Sequence, residues 1–343
     1  MDMKNVKLIM LDMDGPLFTN DKRITEKTRN CLIAMKEKGI AIMIVNHKLD
    51  EIYEICDKLT VLRNGEYVSN GDITEYDRAR FIRDLTGRDI EEIKYSPEED
   101  EKEILRVEHL TRAGAFEDVS FTLKKGDVLG ITGLLGSGRG ELGDALFGLA
   151  PAQSGKIILN GKEIQIHSIQ DAMNNKIAYV PEDRLTQGLF LERSILDNTM
   201  AASIKNYFKK GKLDYKAMEI ATDDWIKTIG VATPSAKPAI RTLSGGNQQK
   251  VAIAKWLNTS PDLLVLNGPT VGVDIGSKSD IHAILHRLAK GGVGIIVISD
   301  DLSELVQNCN KMIVMRNGKV AEVIDNTVDE TTLADMLSGK QGG

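Results

Sequence analysis

The chain has 343 residues, which is long enough for two domains that each bury a core. Its net charge of −6, without a basic stripe that carries aromatic residues, argues against nucleic acid as a partner. Three widely spaced cysteines have no metal-ligand spacing, and no apolar run reaches the roughly 18 residues that span a bilayer. We therefore expect a protein of the reducing cytoplasm without a metal site, and any role at a membrane must come through a partner.

The first predicted strand, residues 7–11, runs into the sequence DMDG, which contains Asp12 and Asp14. This segment resembles the first motif of haloacid-dehalogenase-type phosphatases, of the Cof-like group in particular. The resemblance implies Asp12 as the nucleophile and Asp14 as the general acid. Pro16 stands where that family has threonine, and no lysine motif or terminal acidic motif follows. Because an aspartate pair alone lacks a metal cage and a cation for the phosphate, we expect this N-terminal part to be structural.

A charged stretch with a proline predicts a linker after the N-terminal part. The predicted division is residues 1–95, a truncated α/β unit; 96–103, a linker; 104–325, the main domain; and 326–343, a C-terminal tail. Residues 104–107 and 119–123 alternate between apolar and polar types, which predicts an antiparallel pair of strands.

A glycine-rich turn follows the predicted strand at residues 128–132 and precedes a helix that starts at Glu141. It resembles the phosphate loop GxxxxGK[ST], whose backbone amides cradle the phosphates of a nucleotide. Arg139 stands at the lysine position, and Gly140 lacks the hydroxyl that would ligate Mg²⁺. The residues expected to bind the nucleotide here are Gly133, Gly136, Ser137, Gly138, Arg139 and Gly140.

Residues 243–250 read LSGGNQQK and follow a stretch of helical pattern over residues 192–242. A serine and two glycines at a helix start let backbone amides approach a phosphate, and the helix dipole adds attraction. The octet resembles the signature motif of ATP-binding cassette (ABC) ATPases, in the form typical of bacterial sugar importers. The resemblance implies that the motif contacts the γ-phosphate of ATP held by an opposing domain. The residues assigned to this contact are Ser244, Gly245, Gly246 and Gln248. The resemblance also implies that the predicted antiparallel pair lies beside the nucleotide, and Phe116 is either the aromatic residue that stacks on adenine or a core residue.

Other functional positions of the ABC family are altered in this chain. Asn267 and Gly268 stand where the family has the Asp-Glu pair of its second acidic motif. Asp300 replaces the switch histidine, and Glu182 replaces the glutamine of the Q-loop. Phosphoryl transfer depends on Mg²⁺ and a positioned water, and the residue types for both are lost. The resemblance therefore implies ATP as the ligand, while the substitutions argue against bound Mg²⁺ and leave no catalytic residue of this domain intact.

An internal repeat relates the two parts of the chain. Residues 14–65 align without a gap with residues 267–318, a shift of 267 − 14 = 253. The alignment places Asp14 opposite Asn267 and puts His47 at the switch position. The spacing of about one domain predicts tandem homologous units, of which the first is truncated. Asp14 is then either the relic of an ATPase acidic motif or part of the phosphatase-like motif.

Together these features predict an α/β fold, namely an ABC-type P-loop NTPase domain with a helical subdomain, preceded by the truncated unit. We expect an ATP-binding subunit of a carbohydrate importer that couples ATP binding to sugar uptake and does not hydrolyse ATP alone. The implied partners are membrane permease subunits and a second ATPase domain at the inner face of the cell membrane, with a sugar-binding protein engaged indirectly. Two alternatives stay open: phosphatase activity of the N-terminal segment, and a non-catalytic module that senses ATP.

Overall fold

The computed structural model of the chain describes residues 7–12, 26–45, 49–63, 65–89, 94–97, 102–325 and 327–339. The chain forms two compact units, Met1–Glu91 and Glu92–Gly343. None of the described helices is both long and apolar enough to cross a bilayer. The described residues also hold no group of three or more His, Cys, Asp or Glu side chains suited to a metal ion.

The second unit includes segments at both ends that the sequence pattern did not assign to it. Tyr95 is buried, its hydroxyl donates a hydrogen bond to the Gly126 carbonyl at 2.6 Å, and its ring stacks on His286 with the centroids 4.3 Å apart. At the other end, the predicted tail forms a helix, Glu330–Ser338, whose Leu333 is fully buried. The charged and polar residues of both segments hid these contacts, although Val328 and Leu337 also pack against the core beside Leu333.

The stacked His286 ring makes the second unit sensitive to acid. Burial, followed by the charge of His282, lowers the pKa of His286 to about 4. The unfolded chain, in which the pKa is about 6.5, binds the proton more tightly. The contribution of neutral His286 to the free energy of unfolding is therefore complete above about pH 6.5 and is lost as the pH falls toward 4. Between about pH 7 and about pH 4.5, we expect the free energy of unfolding to fall by about 2 kcal/mol in urea titrations.

Two variants separate this effect from general acid destabilisation. His286→Phe should keep the ring stack on Tyr95 and remove most of the pH dependence. The exposed His167 offers a control, and His167→Phe should leave the pH dependence unchanged. Equal losses of stability in all three proteins would show that His286 does not cause the effect.

The first unit consists of short strands and helices. In chain order they are β1 (Leu8–Asp12), α1 (Glu26–Glu37), β2 (Ala41–Val45), α2 (Leu49–Ile55), β3 (Lys58–Arg63), β4 (Glu66–Asp72), a 3₁₀ turn (Ile73–Glu75) and α3 (Arg78–Thr86). Strand β1 pairs in parallel with β2, and β3 pairs antiparallel with β4. Helix α3 begins at Asp77, whose side chain accepts from the Arg80 amide, and ends at the left-handed Gly87.

The second unit contains two larger sheets with helices around them. Its strands are β5 (Glu103–Arg112), β6 (Phe116–Lys124), β7 (Val128–Gly133), β8 (Ser154–Leu159), β9 (Lys162–Ile164), β10 (Ile177–Val180), β11 (Phe208–Lys209), β12 (Lys212–Leu213), β13 (Leu263–Asn267), β14 (Gly294–Ile298), β15 (Lys311–Arg316) and β16 (Lys319–Asp325). Its helices are α4 (Arg139–Leu146), α5 (Ile169–Asn174), α6 (Ile195–Met200), α7 (Tyr215–Ile229), α8 (Gly245–Leu257), α9 (Ile275–Lys290), α10 (Leu302–Asn308) and α11 (Glu330–Ser338). Single turns complete it: a π turn (Arg184–Gly188) and 3₁₀ turns (Ile204–Tyr207 and Ile240–Thr242).

Six strands form the central sheet in the order β10-β13-β14-β7-β15-β16, in which only β16 runs antiparallel to its neighbour. All residues of β7, β10 and β14 are buried, which explains why these strands are largely apolar runs. A second, antiparallel sheet has the order β6-β5-β8-β9. The predicted fold class, the parallel-centred sheet and the antiparallel pair are confirmed. Because β7, β13 and β14 are parallel neighbours, their carboxyl ends meet at one edge of the sheet, where a ligand site is expected.

The internal repeat is visible in the strands and helices. A shift of 253 carries β2 onto β14, α2 onto α10, β3 onto β15 and β4 onto β16 without a change of bounds. The alignment fails at β1, because Asp12 pairs with Val45 in the same register in which Asn267 pairs with Ile298. Asp12 and not Asp14 therefore occupies the position of the acidic motif, two residues away from the gapless alignment. Asp14 and His47 lie outside the described residues.

Candidate nucleotide-binding site

The phosphate loop lies between the carboxyl end of β7 and the start of α4. Gly136 and Gly138 have φ values of +78° and +91°, a conformation that favours glycine. A Cβ atom on Gly138 would lie 2.5 Å from the Ala115 carbonyl oxygen, so the loop also packs closely against the turn before β6. The Ser137 hydroxyl is buried and has no hydrogen-bond partner among the described residues. A loop with free helix-start amides and an unsatisfied hydroxyl fits a nucleotide phosphate.

Arg139 connects the phosphate loop to the end of β14. Its Nη1 donates to the Gly133 carbonyl at 2.7 Å and lies 3.3 Å from the Ser299 carbonyl oxygen. Its Nη2 lies 3.7 Å from a carboxylate oxygen of Asp300, which is largely exposed. The structure thus brings Arg139, at the lysine position, and Asp300, at the switch position, together as a pair of opposite charge. The pair holds the loop against the sheet edge before any ligand enters.

The two positions that would hold Mg²⁺ in the family are neighbours here, but Asn267 offers no carboxylate and Gly140 no hydroxyl. A Cβ atom on Gly140 would lie 3.7 Å from the Asn267 amide nitrogen, which also lies 3.4 Å from the Tyr179 hydroxyl. That hydroxyl donates to Asp144 at 2.8 Å, and burial followed by the charge of Asp144 raises the pKa of Tyr179. A neutral carboxamide and a missing side chain supply neither the negative charge nor the hydroxyl oxygen that this pair of positions would offer to a hard cation. The residues present therefore fit Mg²⁺ poorly.

Gly268, at the position of the catalytic glutamate, leaves no room for a side chain. Its φ is +58°, and a Cβ atom would lie 2.9 Å from Val271 Cγ2 and 3.0 Å from Glu182 Cγ. The backbone conformation here is one that favours glycine, and the exposed Glu182, at the Q-loop position, packs against the Gly268 Cα. Loss of the glutamate is therefore built into the conformation of this turn.

Gly268→Glu is accordingly expected to leave ATP hydrolysis absent and to destabilise the fold by about 1–3 kcal/mol. The control is Gly161→Glu, since Gly161 has φ +77° but open space at the Cβ position. It should show only the cost of the left-handed conformation, which is about 1–2 kcal/mol. Both costs are measured by urea unfolding, and phosphate release is measured in parallel. A Gly268→Glu protein with wild-type stability and measurable turnover would contradict this interpretation.

The signature motif begins helix α8. Ser244 is the exposed residue before the first turn, and its hydroxyl accepts a hydrogen bond from the side-chain Nδ2 of Asn247 at 2.9 Å. A Cβ atom on Gly245 would lie 2.8 Å from Arg184 Nη2, and one on Gly246 would lie 2.0 Å from Ser277 Oγ. The glycines are thus required by close packing within this chain. Ser244 and the first amides of α8 stay available to an external phosphate.

The structure places two side chains singled out in the sequence, Gln248 and Phe116, inside the fold. Gln248 is buried and its amide donates to the Leu243 carbonyl at 3.0 Å, so it fastens the turn before α8. Phe116 is buried in the core with 2% of its surface exposed, which supports the core alternative over stacking on adenine. Both side chains are committed to the fold because they lie on its inner faces.

Arg184 and Lys255 connect the loops after β10 and β13 to each other and to helix α8, and sequence reasoning gave neither of them a role. Arg184 donates to the Val271 carbonyl at 2.6 Å and to the Gly272 carbonyl at 3.1 Å, beyond β13. Lys255, in the signature helix, donates to the Gly188 carbonyl at 2.6 Å, and burial lowers its pKa to about 8. The turn after Glu182 is therefore fastened at both ends. The available signal was Lys255 itself, because it is the one charged residue in the apolar run at residues 251–257.

A buried carboxylate fastens two further loops. Glu304 accepts hydrogen bonds from the Thr270 hydroxyl at 2.9 Å and from the Ser299 hydroxyl at 2.6 Å. His282 Nε2 lies 3.2 Å from the same carboxylate. Burial alone would raise the pKa of Glu304, but the hydrogen bonds and the charge of His282 lower it below the usual range. The loops after β13 and β14 are thus joined through one side chain.

Comparisons with known proteins agree with this geometry. Residues 116–271 match the ABC transporter family, and residues 9–111 match the haloacid dehalogenase-like hydrolases. A crystal structure of a nucleotide-free ATP-binding cassette covers 69% of the chain with a TM-score of 0.57 and 23% identity, over 95% of its own length. The structure of cbiO1 from Clostridium perfringens, part of the ABC transporter complex cbiONQ, has a TM-score of 0.56 and 26% identity. The match covers 69% of this chain and 93% of cbiO1. Both resemblances that the sequence predicted are confirmed.

Several longer proteins match nearly the whole chain. The ribose import ATP-binding protein RbsA of Bacillus cereus is 36% identical over 99% of the chain and 68% of its own length. The RbsA protein of Clostridium perfringens is 39% identical over 93% of the chain and 64% of its own length. The galactose/methyl galactoside import ATP-binding protein MglA of Salmonella typhimurium is 38% identical over 97% of the chain and 66% of its own length. The chain spans about two thirds of the length of these relatives, and it belongs to the ATP-binding proteins of ABC transporters.

Proposed function

We propose that this chain is an ATP-binding component of a carbohydrate ABC importer and that it offers its signature motif to ATP held by a second ATPase domain. The observation that carries the proposal is the intact motif at Ser244–Gly246, presented at an exposed helix start. Helix-start amides and the helix dipole suit a terminal phosphate. The relatives named for ribose and galactose import support the carbohydrate class.

The chain's own site binds nucleotide and does not hydrolyse it alone. The phosphate loop keeps its glycines and the buried Ser137 hydroxyl, which supports phosphate binding. Asn267 and Gly268 supply neither a carboxylate for a metal ion nor a carboxylate that orients water. ATP binding without turnover would still allow the domain to close on a partner and to open again when the partner's ATP is cleaved.

The expected partners follow from this role. A second ATPase domain supplies the ATP that the signature contacts, and permease subunits carry the sugar through the membrane. The chain then acts at the cytoplasmic face of the membrane, and a sugar-binding protein engages the permease. The relatives, whose names describe import ATP-binding proteins, support this assembly.

The test mixes this chain with an intact first ATPase domain from a relative and measures ATP hydrolysis. Ser244→Arg puts a bulky cation where the γ-phosphate approaches, so we expect the rate of the mixture to fall at least about tenfold. Ser338→Arg is the matched control, because Ser338 is also exposed but ends α11, where a cation is favourable. An unchanged rate with Ser244→Arg would show that the signature is not used.

A second candidate function, phosphatase activity, rests on the match of residues 9–111 to the haloacid dehalogenase-like hydrolases. That match ends inside β5 and includes segments that repeat the ABC-type second unit. We expect no Mg²⁺-dependent hydrolysis of p-nitrophenyl phosphate by the purified chain. Hydrolysis that disappears with Asp12→Asn would establish the phosphatase function instead.

A further inference from the structure

The repeat shows which part of an ABC-type sheet is not found among the described residues of the first unit. In the second unit, β7 lies between β14 and β15 and pairs in parallel with both. Ile131 is opposite Ile298 on one side and Ile313 on the other. One short apolar strand thus joins two pairs of strands into a single sheet.

In the first unit, the corresponding pairs remain separate. Strands β2 and β3 are the counterparts of β14 and β15, but they belong to two different two-stranded sheets. No other strand in the described part of the chain pairs with the second edge of β2 or of β3. We call these two edges, with the side chains Met43, Val45 and Leu62, the strand gap.

The side chains of the strand gap are exposed where their counterparts are buried. Met43 and Val45 are 49% and 63% exposed, whereas Ile296 and Ile298, at the same repeat positions, are 0% exposed. Leu62 is 60% exposed, whereas its counterpart Met315 is 1% exposed. Exposed apolar residues at the edge of a parallel pair form an unfinished surface, because parallel sheets are normally covered on both faces.

The second unit also shows what covers these positions. A Cβ atom on Gly143 of helix α4 would lie 2.6 Å from Ile298 Cδ1, so this helix lies directly on the counterpart of Val45. A Cβ atom on Gly133 would lie 2.6 Å from the carbonyl oxygen of Met315, the counterpart of Leu62. The covering element is the strand, glycine-rich loop and helix of residues 128–146. Strand β2 carries no charged residue that would oppose pairing.

We propose that the first unit binds a segment that is not among its described residues: an apolar strand followed by a glycine-rich phosphate loop and a helix. The incoming strand pairs in parallel with β2 and β3, and its helix covers Met43 and Val45. Since Asp12 has the register position of Asn267, the incoming loop arrives beside an aspartate. The proposal concerns the first unit alone and does not depend on the function proposed for the second.

The probe is a fluorescent synthetic peptide with the sequence of residues 128–147, added to the full chain. Binding is measured by fluorescence anisotropy, and protection of the amides of residues 41–45 is measured by hydrogen exchange. A peptide with Ile131→Pro is the matched control, because proline removes a central ladder hydrogen bond. We expect saturable binding of the first peptide, slower exchange over β2, and at least about tenfold weaker binding of the control.

Two variants of the chain locate the site. Val45→Lys should weaken binding at least about tenfold, whereas Val323→Lys should leave it unchanged, because Val323 is 60% exposed but lies in β16 of the second unit. Unchanged far-UV circular dichroism shows that both variants fold. Absence of binding, or equal binding by both variants, overturns the proposal. Self-association that Val45→Lys abolishes, without peptide binding, also overturns it and assigns the edge to a second copy of the chain.

Discussion

Gly246→Ala is expected to destabilise the second unit by about 2–3 kcal/mol and to lower signature-dependent ATP hydrolysis in the mixed assay. The added Cβ atom would lie 2.0 Å from Ser277 Oγ and 2.3 Å from Ser277 Cβ, so the first turn of α9 must move. The gain in helix propensity from alanine, about 1 kcal/mol, is smaller than this cost. Urea unfolding gives the free energy, and Ser277→Gly in the same chain should recover most of the loss.

Gly140→Ala is the matched control for this substitution. Gly140 also lies in the first turn of a helix, but its nearest neighbour beyond that helix is Asn267 Nδ2 at an ordinary 3.7 Å. Alanine there should be neutral or stabilising by up to about 1 kcal/mol. Equal stability of the two variants would mean that the packing of α8 on α9 does not require glycine.

The second large effect concerns the buried Glu304. Glu304→Ala should lower the free energy of unfolding by about 3–5 kcal/mol, because Thr270, Ser299 and His282 lose their partner inside the protein. Glu163→Ala removes an exposed ion pair with Lys156 and should change stability by less than about 1 kcal/mol. Thermal or urea unfolding of the two variants provides the comparison. A loss below about 1 kcal/mol for Glu304→Ala would show that the hydrogen-bonded cluster does not hold these loops together.

The network also makes a prediction about function. Glu304→Gln keeps hydrogen-bonding atoms at this position, so it should recover part of the stability that Glu304→Ala loses. Because Glu304 holds the loops after β13 and β14 together, Glu304→Gln should still lower ATP hydrolysis when the chain is mixed with a first ATPase domain from a relative. Stability and turnover that recover in parallel would assign Glu304 a structural role only.

The sequence predicted those parts of the site that depend on local pattern. The phosphate loop and the signature are contiguous, and their glycines, serines and helix starts follow directly from phosphate chemistry. The structure adds a reason that the pattern could not contain: Gly246 is required by Ser277, which lies in a different helix. Local motifs therefore identify the binding loops, while their packing partners emerge only in three dimensions.

The connecting residues could not be predicted in the same way. Arg184 and Glu304 bond to main-chain carbonyls and hydroxyls from distant segments, and such partners have no sequence signature. The gapless repeat misplaced the acidic position because a strand register shifts by two residues without changing the apolar pattern. Tyr95 escaped notice because a single aromatic residue decides where a polar segment packs.

The most direct test of the account is ATP binding to the full chain, measured by calorimetry with Mg²⁺ and with EDTA, together with released phosphate. The account predicts dissociation constants that agree within about threefold, no phosphate release, and loss of binding in Gly138→Asp, whose side chain would meet the Ala115 carbonyl. Binding at least about tenfold tighter with Mg²⁺, accompanied by turnover, would contradict it.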